Sequence, residues 1–174
     1  MQQRWKPNVT VAAVIERDGR FLLVEEDTRD GVRLNTPAGH LDPGEGLVQA
    51  CVRETREESA YEFTPRALVG IYLNRFVPSG AAEAVTYLRF TFCGELGPHH
   101  PEQPLDDGIL RAVWMDVEQV RASQAQHRSP IVMQCIEDYL QGRRYPLELL
   151  RVDPSVWAPA PSNPGDAATQ LQAV

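Results

Sequence analysis

The stretch GHLDPGEGLVQACVRETREES, residues 39–59, constrains the chain more tightly than any other. Read as a helix from Gly46 or Leu47 to about Ser59, it carries Leu47, Val48, Cys51, Val52 and Thr55 on one mostly apolar stripe. With about 3.6 residues per turn, Glu54, Glu57 and Glu58 stand at i, i+3 and i+4, so three carboxylates project together. Like charges at this spacing cost roughly 0.2–0.5 kcal/mol per pair, and Arg53, one turn before Glu57, offsets part of that. Taken alone, such a run is a solvated charged face. The loop ahead of it changes the reading. Gly39 and Asp42-Pro43-Gly44-Glu45-Gly46 place a tight turn and a further carboxylate directly before the helix. A hard divalent cation such as Mg²⁺ takes oxygen ligands and keeps several waters, so carboxylates from one helical turn and a backbone carbonyl from the loop suit it. Such a cation turns an acidic site into a phosphate site.

The rest of the chain supplies strands around this segment. NVTVAAVI (8–15) and FLLVEE (21–26) flank the turn Arg17-Asp18-Gly19-Arg20 and read as a hairpin. Further strand signals lie at 67–73, 84–96 and 111–117. A short second helix is expected with Asp116 as N-cap and Gln119 completing a capping box. A third is expected with Ser129 as N-cap, Pro130 at its first position, an apolar stripe through Ile131, Cys135 and Leu140, and Gly142 past its end. Strands and helices mix without regular βαβ alternation. The expected class is therefore α+β, a mixed β-sheet between helices in an α/β/α sandwich. Residues 1–152 read as one domain and 153–174, rich in Pro, Ala and small polar residues, as a flexible tail.

The charge narrows the functional classes. A formal net charge of −7 argues against general attraction to nucleic acid or a membrane surface, both polyanions, so an anionic substrate must be held locally. The start MQQRWKPNVTV lacks a signal-peptide apolar run and no stretch reaches a membrane span, so a cytoplasmic location is expected. Cys51, Cys93 and Cys135 lack metal-ligand spacing and read as reduced core thiols.

Gly39, five residues, Glu45, seven residues, then Arg53-Glu54-Thr55-Arg56-Glu57-Glu58 resembles the Nudix box, Gly-x5-Glu-x7-Arg-Glu-apolar-x-Glu-Glu-x-Gly-apolar. Thr55 stands where an aliphatic is usual, Ala60 replaces the closing glycine and Tyr61 takes the last apolar place. If residue 60 must be left-handed, alanine there costs about 1–2 kcal/mol, which favours a helix that runs on or closes differently. Segments WKPNVTVA, PAGHLD, YLRFTF and RSPIV with GRRYPLELL resemble, in the same order, a bacterial phosphatase branch of the family, over roughly residues 4–151.

The resemblance implies a Mg²⁺-dependent hydrolase, with Mn²⁺ as an alternative ion. Its implied substrates are the pyrimidine diphosphate of thiamine synthesis, thiamine diphosphate and nucleoside di- and triphosphates, with orthophosphate released. It assigns Glu54, Glu57, Glu58 and the Gly39 carbonyl to the metal, and Arg53, paired with Glu45, to holding the glutamates. Glu57, or Asp106 or Asp107 from the PLDDG loop, is the candidate base. Tyr72, Asn74 and Arg75 on one strand, Tyr87 and Arg89 on another, and Asp106 are candidate substrate contacts, with packing the alternative for the strand residues. His40, beside the box glycine, is a further candidate contact. A pyrophosphate-releasing nucleotide or RNA 5'-end hydrolase and a non-catalytic binding module remain alternatives. The expected partners are a small phosphorylated substrate, no nucleic acid, no membrane, and at most a second copy of the chain.

Overall fold

The computed structural model describes residues 5–77 and 83–158. Eight strands and three α-helices follow in the order β1 (Asn8–Val14), β2 (Glu16–Arg17), β3 (Arg20–Thr28), β4 (Gly31–Asn35), β5 (Ala38–His40), α1 (Leu47–Ser59), β6 (Tyr61–Phe76), β7 (Val85–His99), β8 (Ile109–Asp116), α2 (Val117–Ala122) and α3 (Ile131–Leu140). The strands form a mixed sheet, β5-β1-β7-β6, in which β1 and β7 run parallel, and an antiparallel sheet in which β3 pairs with β2, β4 and β8. The single mixed sheet expected from the sequence is thus divided in two.

Strand alternation sends side chains to two faces, and each face finds a helix. Val11, Ala13, Ile15, Leu22 and Phe92 pack with Ala50 and Cys51 of α1. Val14, Phe21, Leu23 and Tyr72 pack with Val132, Cys135 and Ile136 of α3. Both sheets contribute to both clusters, so together they make the middle layer of the α/β/α arrangement. The three cysteines are free and buried.

Several expectations need correction. The 17–20 turn does form, with Asp18 and Gly19 both at positive φ (52° and 75°), the geometry of a two-residue type I′ hairpin. Its ladder covers only Glu16–Arg17 and Arg20–Phe21, and β1 leaves for the other sheet, where it is central and apolar on both faces. Strands β4 and β5 are five and three residues long, and the single Val32–Arg33–Leu34 alternation in β4 is too short to mark a strand. Strand β6 is sixteen residues long rather than seven, with three register shifts, one beside Pro65, which an edge strand tolerates. The capping box at Asp116 and Gln119 is present. Helix α3 has no side-chain cap: the Ser129 hydroxyl does not bond its first amides, although the Ser129 carbonyl accepts from Val132 N–H at 3.2 Å, and Pro130 occupies the cap position with helical dihedrals. Leu140 is exposed, while Gly142, at φ 77°, closes the helix as expected. Within 153–174, residues Pro154–Trp157 form a 3₁₀ turn capped by Asp153, and 159–174 lie outside the described residues.

Helix α1 neither runs on nor closes by another route. Ala60 takes the left-handed conformation itself (φ 56°, ψ 17°), its N–H donating to the Arg56 carbonyl at 2.9 Å. Thr55 is fully buried where an aliphatic residue was expected, its hydroxyl donating to the Cys51 carbonyl at 2.8 Å. Glycine reaches the left-handed region without the Cβ clash, so Ala60→Gly is expected to raise unfolding free energy by about 1 kcal/mol. Chemical denaturation of both proteins tests this, and equal or lower stability of the variant refutes it.

Candidate active site

Arg53 is the hub of the site. Its Nε and Nη2 donate to the two Glu45 oxygens at 3.0 and 2.7 Å, a bidentate pair that ties the loop before α1 to the helix. Nη1 donates to Glu54 at 2.8 Å and to Glu57 at 3.0 Å, and Nη2 also reaches the His40 carbonyl at 2.9 Å. One guanidinium therefore holds three carboxylates and a strand end. Glu45 also accepts from the Asp42 amide at 2.8 Å, and the Arg53 bond holds its carboxyl below the ordinary range.

Glu54 and Glu58 lie on the inner side of α1, 8% and 6% exposed, against β5. The apolar stripe read from the sequence is therefore shared: Ala50, Cys51 and Thr55 are buried beside two carboxylates. Glycine at 39 makes this possible, because a Cβ there would overlap the Glu54 carboxyl group. Glu58 accepts from the Ala38 amide at 2.7 Å. Burial pushes its pKa up to about 9, with the Ala38 bond opposing and the nearby charges of Glu26 and Glu54 adding to the rise. Burial likewise raises Glu54, against the pull of Arg53. Asp106 reaches this group from the 100–108 loop, its amide donating to the Glu57 carbonyl at 2.9 Å.

A cleft of about 880 Å³ opens in front of these carboxylates. Its floor is the α3-side face of the mixed sheet, where Tyr87 and Arg89 of β7 stand beside Asn74 and Phe76 of β6. Tyr87 stacks on Phe76 at 5.8 Å and lies 6.0 Å from the His40 ring. The structure thus brings Gly39, His40, Glu54, Glu57, Glu58, Tyr87 and Asp106 to one cavity.

Two candidates are corrected. Tyr72 shares the floor's side of the sheet but lies farther in, under α3, 7% exposed with its hydroxyl donating to Asp138 at 2.8 Å, and it does not line the cleft. Arg75 is exposed and alternates away from Asn74 and Phe76, so it points off the cleft face. Sequence reasoning missed Glu26, Asn35 and Arg128. Glu26 accepts from Asn35 at 2.7 Å and lies 3.3 Å from Arg128, a contact between segments about a hundred residues apart that no local pattern announces.

Among the described residues no three acidic, histidine or cysteine side chains are converged as a metal cage; Arg53 Nη1 occupies an oxygen each of Glu54 and Glu57, and the Ala38 amide one of Glu58. The donor chemistry nevertheless fits a hard cation: all the oxygens are carboxylate or carbonyl, and two carboxylates are desolvated beside one another. Glu54, Glu57, Glu58 and Gly39 are the residues that would hold it.

These electrostatics have a measurable consequence. The Glu58 carboxyl titrates near 9 in the folded protein against an ordinary 4.5, so the folded state binds more protons between those values. Glu58 therefore contributes stability that is full below about 4.5 and falls as pH rises through about 9. Without divalent metal, thermal stability is expected to decline over that interval. Glu58→Gln, which keeps an acceptor for Ala38, should flatten the decline. An identical pH profile for both proteins refutes the assignment.

The NUDIX domain model matches residues 5–135. Phosphatase NudJ of Escherichia coli (strain K12) is 38% identical over 146 residues, 84% of this chain and 92% of that protein, and Phosphatase NudJ of Shigella flexneri matches equally. Among solved structures, a NUDIX hydrolase from Nitrosomonas europaea is 52% identical with a TM-score of 0.79, covering 85% of this chain and 98% of that one. A MutT NUDIX hydrolase from Burkholderia pseudomallei, 18% identical with a TM-score of 0.63 over 77% and 98% of the two chains, shares the fold. With the box residues gathered at one cleft and these similarities over most of its length, the chain belongs to the Nudix family and is a hydrolase of phosphoric anhydride bonds.

Proposed function

We propose that the protein is a Mg²⁺-dependent phosphohydrolase of small di- and triphosphate compounds that releases orthophosphate. Its substrates in this reading are the pyrimidine diphosphate of thiamine synthesis, thiamine diphosphate and nucleoside di- and triphosphates. The observation that carries it is the set of three carboxylates, Glu54 and Glu57 held by Arg53 and Glu58 by the Ala38 amide, two of them buried, at the wall of a cleft large enough for such a compound. The similarity to Phosphatase NudJ supports the phosphatase outcome over pyrophosphate release.

Each residue has a task. When bound, Mg²⁺ or Mn²⁺ supplies Lewis-acid stabilisation of phosphoryl oxygens and an acidified water. Glu54, Glu57 and Glu58, with the Gly39 carbonyl, hold it. Arg53 keeps Glu54 and Glu57 in place, the Ala38 amide keeps Glu58, and Glu45 orients Arg53. The proton of the attacking water goes to Glu57 or to Asp106, whose backbone is tied to the Glu57 carbonyl. Tyr87, stacked on Phe76, offers a flat apolar surface to the organic part of the substrate.

The deciding experiment incubates the protein with Mg²⁺ and, separately, thiamine diphosphate, the pyrimidine diphosphate and GTP, counting orthophosphate with and without added pyrophosphatase. Orthophosphate in its absence is the expected result. Signal only with pyrophosphatase overturns the phosphatase reading in favour of a pyrophosphohydrolase. In the same assay Glu57→Gln should lower kcat by about a hundredfold or more while leaving the fold intact. Asp106→Asn should lower kcat as far as Glu57→Gln does if Asp106 accepts the proton, and an unchanged kcat leaves that role to Glu57.

A further inference from the structure

The floor of the cleft holds a cation that the hydrolase chemistry above does not use. Arg89 is 8% exposed, lines the cleft, and meets no carboxylate within 4.0 Å among the described residues. Its Nη1 and Nη2 donate to Asn35 Oδ1 at 3.3 Å, and Nη2 donates to Thr36 Oγ1 at 2.6 Å. Its Nε–H, also buried, has no partner. This desolvated guanidinium is hydrogen-bonded only to neutral oxygens, and Glu58, the carboxyl group whose charge it feels, acts on it through space rather than in contact.

A second, independent feature converges on the same place. The first turn of α3 faces the cleft through Ser129 and Ile131; it has neither a side-chain cap nor an acidic residue, and of its amides Val132 N–H already donates to the Ser129 carbonyl at 3.2 Å. The chain there is pinned to the Arg89 cradle, since the Arg128 amide donates to the Leu34 carbonyl at 2.8 Å, next to Asn35. Helix N-termini with free N–H groups favour anions. Among the described residues Glu26, bonded to Asn35 and near Arg128, is the one carboxylate in contact with these residues, and it is offset by Arg128. The cleft therefore has two poles, carboxylates on the α1 side and cations on the α3 side.

We propose that Arg89 and the first turn of α3 form an anion subsite for the terminal, doubly charged phosphoryl group of the substrate, separate from the carboxylates that hold the metal. The proposal rests on the hydrolase reading for its substrate. With the terminal group seated there, the adjoining P–O–P bridge faces the carboxylate pole. Water adds OH to one phosphorus and a proton to the bridging oxygen as the bridge breaks, and the terminal group leaves as orthophosphate. A diphosphate esterified at both ends has no such group and gains nothing from the subsite.

The test uses the full chain with saturating Mg²⁺ and inorganic orthophosphate as probe, comparing wild type, Arg89→Gln, Arg89→Lys and Glu57→Gln. Orthophosphate should raise the melting temperature of wild type and of Glu57→Gln, and should not raise that of Arg89→Gln. Arg89→Lys keeps the charge without the planar fork, so it should show a reduced shift and serves if the glutamine variant does not fold. In turnover, the KM for CDP should rise at least tenfold in Arg89→Lys, the Ki for product orthophosphate should rise with it, and the KM for ADP-ribose should stay unchanged. A shift that survives both Arg89 substitutions places orthophosphate at the carboxylates and overturns the subsite. Turnover with an unchanged Ki in Arg89→Lys does the same while leaving the hydrolase reading intact. An Arg89-dependent shift in a protein that hydrolyses nothing sinks that reading and leaves the subsite standing.

Discussion

The desolvation of two carboxylates beside one another is the constraint on which the rest of the structure depends. Moving Glu54 and Glu58 out of water on the same helical face is unfavourable by itself. The fold accepts it through three fixed partners: the Arg53 guanidinium, the Ala38 amide, and a bare Cα at Gly39 that lets a carboxyl group lie against the strand. Each partner fixes something else in turn. Arg53 sets the path of the loop through Glu45, and Ala38 belongs to β5, so the distance between α1 and the mixed sheet is set at the site. Catalytic geometry and layer spacing are thus decided by the same contacts.

The sequence showed the carboxylate helix and its cation because both obey a local rule. The spacing i, i+3, i+4 and the eight-residue offset between Glu45 and Arg53 are properties of one helix and one loop. Helix ends read well where capping chemistry is local, as at Asp116 and Gly142. They read badly where a tertiary contact intervenes: the Ser129 hydroxyl leaves the α3 amides uncapped, and Ala60 is held left-handed under buried surroundings that override its preference.

What was not legible depends on which neighbour each side chain meets. Tyr72 and Tyr87 have the same chemistry and lie on the same side of the mixed sheet, yet α3 covers one and stops short of the other. No window of sequence contains the end of α3 and the middle of β6 together. The same holds for Glu26 and Asn35, contributed by two strands of the antiparallel sheet. Pattern reading found the carboxylate wall, which one element carries, and picked out Asn74, Tyr87 and Arg89 of the floor without the partners that several elements bring to them.

The parallel pairing of β1 with β7 also has a kinetic side. Its register joins Asn8 to Tyr87 and Val14 to Cys93, strands roughly eighty residues apart in the chain. A ladder of that span cannot form by local zippering, since its loop-closure entropy must be overcome before any of its contacts is gained. The hairpins of β3 with β4 and of β6 with β7 can form early, whereas the cleft floor appears only when the first strand slots between β5 and β7. A nascent chain released before β7 emerges would carry the acidic helix complete yet have no surface on which to present it.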